Sequence, residues 1–176
     1  MKVYRKVKMN VSRYEVGDQI TIKIKGYGKF TATVQKIENG LALFLFDNCI
    51  CRHETNREDT NEGGFERSDM CEFLNNELLK SFPKKLVNRM HYPDGFFLFL
   101  LSEEDVVGDD ALPLMKEPRN RACAVPDEDY CAAWWLRDVV TSTVFALVTG
   151  SGRATGTSAS ASLGVRPAFY LSETDL

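Results

Sequence analysis

The sequence predicts an α+β fold, with antiparallel strands, two main helices and long loops. Three observations carry that prediction: a two-residue apolar period through the first fifty residues, a helical apolar period between Ser68 and Met90, and a second alternating segment near the C-terminus. At 176 residues and 44% hydrophobic content, the chain is long enough for one domain with a substantial core, and a single domain over 1–176 is expected.

In chain order, Val3, Val7, Met9 and Val11 alternate with Lys and Arg, so residues 1–13 read as a basic strand or arm. Ile20, Ile22 and Ile24 then occupy one face of a strand and Thr21, Lys23 and Lys25 the other. The Gly26-Tyr27-Gly28 break leads into KFTATVQKI, and Asn39-Gly40 signals a tight hairpin before LALFLF, which makes a meander. Residues 52–68 contain only Phe65 as a sizeable apolar side chain and read as a long solvated loop, ordered only by packing from elsewhere.

Ser68 is placed as a helix N-cap, because Met70, Phe73, Leu74, Leu78 and Phe82 follow at helical spacing. Pro83 can open a second short helix bearing Leu86, Val87 and Met90. After the Tyr92-Pro93-Asp94-Gly95 turn, FFLFLL at 96–101 reads as a buried strand. Ser102 with Asp105 resembles a capping box for a brief helix at SEEDVV, and 108–130, with three prolines, reads as connecting loop.

Composition excludes several functions. A net charge of −3 gives no basic face for nucleic acid. The longest apolar runs are six residues, far short of the roughly 20 of a spanning helix, so no membrane insertion is expected. The basic start lacks the apolar core of a secretory signal, which points to a product made in the cytoplasm. Five cysteines, an odd number in a chain too long to need stapling, fit free thiols.

The most unusual segment is 138–164. Leu147, Thr149, Ser151, Arg153, Thr155 and Thr157 share one parity, and Ala146, Val148, Gly150, Gly152, Ala154 and Gly156 the other. Small residues on one side suit a hairpin packed tightly on that face and displayed on the opposite one. Lys, Glu, Gln, Met and Trp supply 33 of the 176 residues, yet none of the 28 over 137–164, where ordinary loop chemistry would welcome Lys and Glu.

The bookends WWLR (134–137) and GVRPAF (164–169), preceded by YEVGD (14–18), SDMCEFLN (68–75) and FLLSEEDV (99–106), resemble a bacterial and phage domain of C-type lectin fold. That fold is shared with the formylglycine-generating enzymes, and the resemblance covers roughly 14–171. One branch comprises the variable proteins of diversity-generating retroelements. There, adenine-directed mutagenesis of a template rich in Asn codons rewrites the segment between the bookends. Such codons, changed at their adenines, cannot encode Lys, Glu, Gln, Met or Trp, the five types missing here.

The resemblance implies that Phe145, Ala146, Val148, Gly152, Ala154 and the GVRPAF run are fixed. The varied, ligand-contacting positions are then Thr143, Val144, Leu147, Thr149, Gly150, Ser151, Arg153, Thr155, Gly156, Thr157, Ser158 and Leu163, with Asp138 and Thr141 at the fringe. Trp134 and Trp135 should supply core area, with Trp135 also forming a lip of the site. Arg137 and Arg166 should make buried, hydrogen-bonded contacts that pin the hairpin, with Pro167 keeping Arg166 extended. The partner so implied is a protein or glycan on a target cell surface, met by a chain carried on a virion or a cell surface. No cofactor and no catalysis are expected, and oligomeric state stays open.

Other chemistry is weaker. A formylglycine-generating type of thiol oxidase would use Cys123 and Cys131, but seven intervening residues do not match the closely spaced pair of those enzymes. Cys49, Cys51 and His53 could form a soft-metal cluster but would crowd a tetrahedral ion, and the acidic runs at 103–110 and 127–129 lack calcium-loop spacing. An invariant lectin-like structural domain stands as the third reading.

Overall fold

A computed structural model describes residues 13–173; the strand expected at 3–11 lies outside them. The Ile20–Ile22–Ile24 alternation forms β1 (Gln19–Ile24), antiparallel to β2 (Gly28–Glu38), which turns through Asn39 and Gly40, both at positive φ, into β3 (Leu41–Phe46). Asn and Gly are the residues that accept that left-handed backbone, so the meander is built by its turn as much as by its strands.

The same sheet is completed by β12 (Ala168–Ser172), inserted between β3 and β5 (Met90–His91), in the order β1-β2-β3-β12-β5. A second five-stranded sheet has the order β10-β9-β8-β11-β4. Its members are β4 (Cys51–His53), β8 (Trp134–Thr141), β9 (Val144–Val148), β10 (Ala154–Ser158) and β11 (Leu163–Val165). Its β8–β11 contact is parallel, and every other pair in both sheets is antiparallel. A small ribbon pairs β6 (Cys123–Ala124) with β7 (Cys131–Ala132). The architecture is therefore α+β, dominated by antiparallel strands.

The helices are shorter than the sequence period suggests. Ser68 caps α1 (Asp69–Glu72) by accepting from the Cys71 amide, but the chain then widens into a π-helical stretch (Phe73–Glu77) and tightens into a 3₁₀ turn (Leu78–Ser81). The apolar face survives these changes, with Met70, Phe73, Leu74, Leu78 and Phe82 all buried. Next come α2 (Lys84–Val87) and α3 (Glu103–Val107), the latter closed by the reciprocal Ser102–Asp105 capping box.

The FFLFLL run is not a ladder strand. It makes one bridge, Phe99 to Ala168, and the amide of Asn75 takes the place of a partner strand. Asn75 Oδ1 accepts from the amides of Phe97 (3.0 Å) and Leu98 (3.1 Å), and its Nδ2 donates to Leu98 O (2.9 Å). One side chain thus satisfies the backbone of a buried segment, as buried polar groups require.

Two apolar clusters fill the interior. The larger joins Ile22, Phe44, Phe46, Met70, Leu74 and Phe169 to Trp135, Phe145 and Leu147; the second joins Leu43, Leu45, Leu101 and Met115 to Trp134, Leu136, Ala146 and Val148. Strands β3, β8 and β9 therefore have apolar side chains packed on both faces.

Candidate ligand-binding site

The candidate surface is assembled by β8, β9 and β10, and its rigidity comes from the two-sided burial of the first two. Trp134 and Trp135 are fully buried on opposite faces of β8. Each indole finds a backbone acceptor, Trp134 Nε1 donating to Arg121 O (2.8 Å) and Trp135 Nε1 to His53 O (2.9 Å). Trp135 is thus a core side chain and forms no lip of a site, which corrects the expectation from sequence. On β9, Phe145 and Leu147 enter the larger cluster and Ala146 and Val148 the second. Leu147, expected on the displayed face, is 4% exposed and belongs to the core. The parity argument assumed a ribbon packed on one face only, whereas β9 runs between two clusters.

Display passes instead to the edge. Among the described residues β10 pairs only with β9, with Thr155 opposite Leu147 and Thr157 opposite Phe145. Thr143, Ser151, Arg153 and Thr155 are exposed; Val144, Thr149, Gly150, Gly156, Thr157, Ser158 and Leu163 are half-buried. These positions lie on β10 at the edge of the second sheet, on the two turns at opposite ends of β9 (the β8–β9 turn and the 149–153 turn), and at the start of β11, and together they form a rim along that edge.

Turn chemistry holds the rim in shape. The Thr149 amide donates to Arg153 O (2.8 Å), the Gly152 amide to Thr149 O (2.9 Å), and the Arg153 amide to Thr149 Oγ1 (3.1 Å). Gly152 has φ 82°, a left-handed conformation suited to glycine. Gly150 is fixed by space: a Cβ there would lie 2.3 Å from the carbonyl oxygen of Cys131. A Cβ on Gly156 would come within 2.7 Å of Val144 Cγ1. These two positions, expected to vary, have no room for a side chain unless neighbours move.

The 52–68 segment supplies the brace. It is largely tied down, contrary to a solvated loop, with Thr55, Asn56 and Asn61 buried. Asn61 Nδ2 donates to Thr141 O and to Val144 O (3.4 Å), and its amide donates to Ser142 O (3.3 Å), clamping the β8–β9 turn. The amides of Thr55 and Asn56 donate to Ala159 O (2.9 and 3.1 Å). Asp59 Oδ1 accepts from the hydroxyls of Ser158 and Ser160 and from the Ser160 amide (3.3 Å). Those hydroxyl bonds first, and the amide bond with them, hold the Asp59 carboxyl below the usual carboxylate range. Arg52 grips Glu128 with both ends of its fork (2.6 and 2.7 Å) and donates to Ser162 O (3.2 Å), fastening the entry to β11.

Arg166 is buried and hydrogen-bonded as the bookend reading expects, but its bonds go to Phe46 and Asn120 and not to the hairpin. It donates from Nε to Phe46 O (2.7 Å) and from Nη1 to Asn120 O (3.1 Å), and lies over the Trp134 ring. Arg137 departs from the expectation of burial: it is half-buried and lines an open cleft with Phe65, Phe96 and Phe99. Asp138, at the fringe of the expected set, accepts from the Glu103 amide (2.6 Å) at the start of α3 and so serves the scaffold.

Val139 and Val140, outside the expected set, are 46% and 51% exposed on β8 beside the β8–β9 turn. Two adjacent exposed β-branched residues in a strand were the available signal, since a solvated strand end ordinarily carries polar side chains there.

The thiols are arranged differently from the oxidase expectation. The β6–β7 register sets Cys123 opposite Ala132 and Cys131 opposite Ala124, with Cys123 buried and Cys131 exposed. Cys123 instead faces Cys49. Their mutual hydrogen bond raises the Cys49 thiol and lowers that of Cys123, which the nearby Arg166 charge lowers further. Burial pushes Cys51 up to about 12. Cys49 and Cys51 point into different environments, and the His53 ring stacks on Phe73 at 4.2 Å. Among the described residues no group of three or more His, Cys, Asp or Glu is placed to hold a metal ion, and no helix is long and apolar enough to cross a membrane.

Residues 97–173 are similar to a family described as "Domain of unknown function (DUF6273)". No curated protein and no solved structure matches the chain. The matched segment takes in β8 to β12, and with them both bookends and the whole rim.

Proposed function

We propose that the chain is a ligand-recognition module of C-type lectin type, a variable protein of a diversity-generating retroelement whose rim contacts a protein or glycan on a target surface without catalysing a reaction. The observation that carries the reading is a division of labour. Apart from the half-buried Arg137, the bookends are buried, as is β9 from Phe145 to Val148, while Thr143, Thr149, Ser151, Arg153, Thr155 and Thr157 are exposed or half-buried along one edge. Side chains on such an edge can change without disturbing either cluster, and the absence of Lys, Glu, Gln, Met and Trp from 137–164 is the pattern adenine-directed rewriting leaves. Binding energy would then come from a few anchors on a rigid platform, with Arg153 at one end of the edge and the exposed pair Val139 and Val140 toward the other.

The test is the locus itself. The reading expects a near-copy of the DNA encoding 138–164, with Asn codons at the exposed positions, beside a reverse transcriptase gene. Codons for the buried Leu147 and for Gly150 give the finer check, since Asn at either template position would place variation where the fold has no space. A locus with no such copy overturns the retroelement reading and leaves an invariant lectin-like domain.

A further inference from the structure

Away from the rim, on the first sheet, a cleft of about 410 Å³ is lined by Gln19, Thr33, Gln35, Asp47, Arg119 and Arg166. Gln35 is the extra residue of a β-bulge: Val34 pairs with Phe44 and Lys36 with Leu43, leaving Gln35 outside the ladder. Bulges re-aim a side chain and often accompany sites. Only 3% exposed, Gln35 donates from Nε2 to Thr33 O (3.1 Å), while its Oε1 has no partner among the described residues. A buried acceptor left unpaired is costly, and it calls for a donor that the described residues do not supply.

The charges of the cleft are fixed and of both signs. Thr33 Oγ1 donates to Asp47 Oδ1 (2.5 Å) and Gln19 Nε2 to Oδ2 (3.2 Å), so the carboxylate is held from behind. Arg166 feels the charge of Asp47, yet among the described residues no carboxylate forms an ion pair with it, and its bonds go to two backbone carbonyls. Arg119 stands exposed at the mouth.

We infer that this cleft is a binding site for a small zwitterion of the α-amino-acid class. Its ammonium meets Asp47 and the open acceptor of Gln35, and its carboxylate meets the guanidinium groups of Arg119 and Arg166. A ligand of one sign would answer only part of this mixed lining, and an apolar ligand none of it. The volume admits an amino acid with its side chain, and the site shares no residue with the rim.

The experiment screens the common free L-amino acids at millimolar concentration by thermal shift, then titrates the strongest by calorimetry against its methyl ester and its α-hydroxy acid. The inference expects at least one amino acid to raise the melting temperature, with the ester and the hydroxy acid each weaker by about tenfold or more. Arg119→Ala, at an exposed position that the fold does not need, and Asp47→Asn should each weaken binding by a similar factor. Binding by no amino acid overturns it. So does equal binding of ester or hydroxy acid, tighter binding of a neutral polyol such as myo-inositol, or unchanged affinity in Arg119→Ala.

Discussion

The guanidinium of Arg166 lies over the Trp134 ring, 4.9 Å from its centre, so the two bookends of the candidate segment meet inside the protein. Burial lowers the Arg166 pKa, and the carbonyls of Phe46 and Asn120 are what keep the charged form in place. Replacing the side chain with Met leaves two carbonyls unpaired while relieving the cost of a buried charge. We expect Arg166→Met to lose about 2–4 kcal/mol, measured by urea unfolding with an unchanged m-value.

The Asp59 clamp predicts a local response to acid. Its carboxyl is held below its ordinary value by Ser158 and Ser160, so the clamp contributes at every pH above the usual carboxylate pKa of about 3.9 and is lost as pH falls through the depressed folded value. Exchange of the Ser160 amide, which donates to Asp59, should quicken in that window. In Asp59→Asn the exchange rate, corrected for intrinsic catalysis, should lose its dependence on pH there.

Tolerance to substitution should follow burial and not parity. Leu147→Ala should cost about 2–5 kcal/mol as a core truncation. Gly150→Ala should cost about 1–3 kcal/mol, because its Cβ collides with the Cys131 carbonyl. Arg153→Ala and Thr155→Ala, on the exposed rim, should each stay within about 0.5 kcal/mol of the parent by the same unfolding measurement.

Gly164 packs against the Cys49 thiol, where a Cβ would lie 2.6 Å from Sγ and 3.0 Å from the Ala133 carbonyl oxygen. Gly164→Ala should therefore be destabilising, and Cys49→Ala should rescue part of the loss by clearing the sulfur. A double-mutant cycle should give a favourable coupling of about 0.5–3 kcal/mol.

The meander, the Ser68 cap and the Ser102–Asp105 box were legible because each is written in neighbouring residues: an alternating triplet, an Asn-Gly turn, a hydroxyl three residues from its partner. Leu147 was misread because alternation reports that faces differ, and says nothing of a strand whose two faces meet two different cores. FFLFLL was misread for a related reason. Its composition marks burial, but the Asn75 amide that replaces a partner strand sits twenty-two residues away from Phe97. Asp59 and Asn61 looked like loop chemistry, and only long-range pairing with 141–160 turns them into a brace. The cleft at Gln35 was invisible for the same reason, its walls coming from five separate segments of chain.

The place of β12 between β3 and β5 has a consequence for synthesis. Strands β1, β2, β3 and β5 are made well before the β12 that joins them, so the first sheet stays split until residue 172 has emerged. During that interval the inner edge of LALFLF is bare, an apolar strand with unpaired amides and carbonyls. A nascent chain of this kind needs either swift completion or a holding chaperone, and truncations just before Ala168 should sediment rather than remain dispersed.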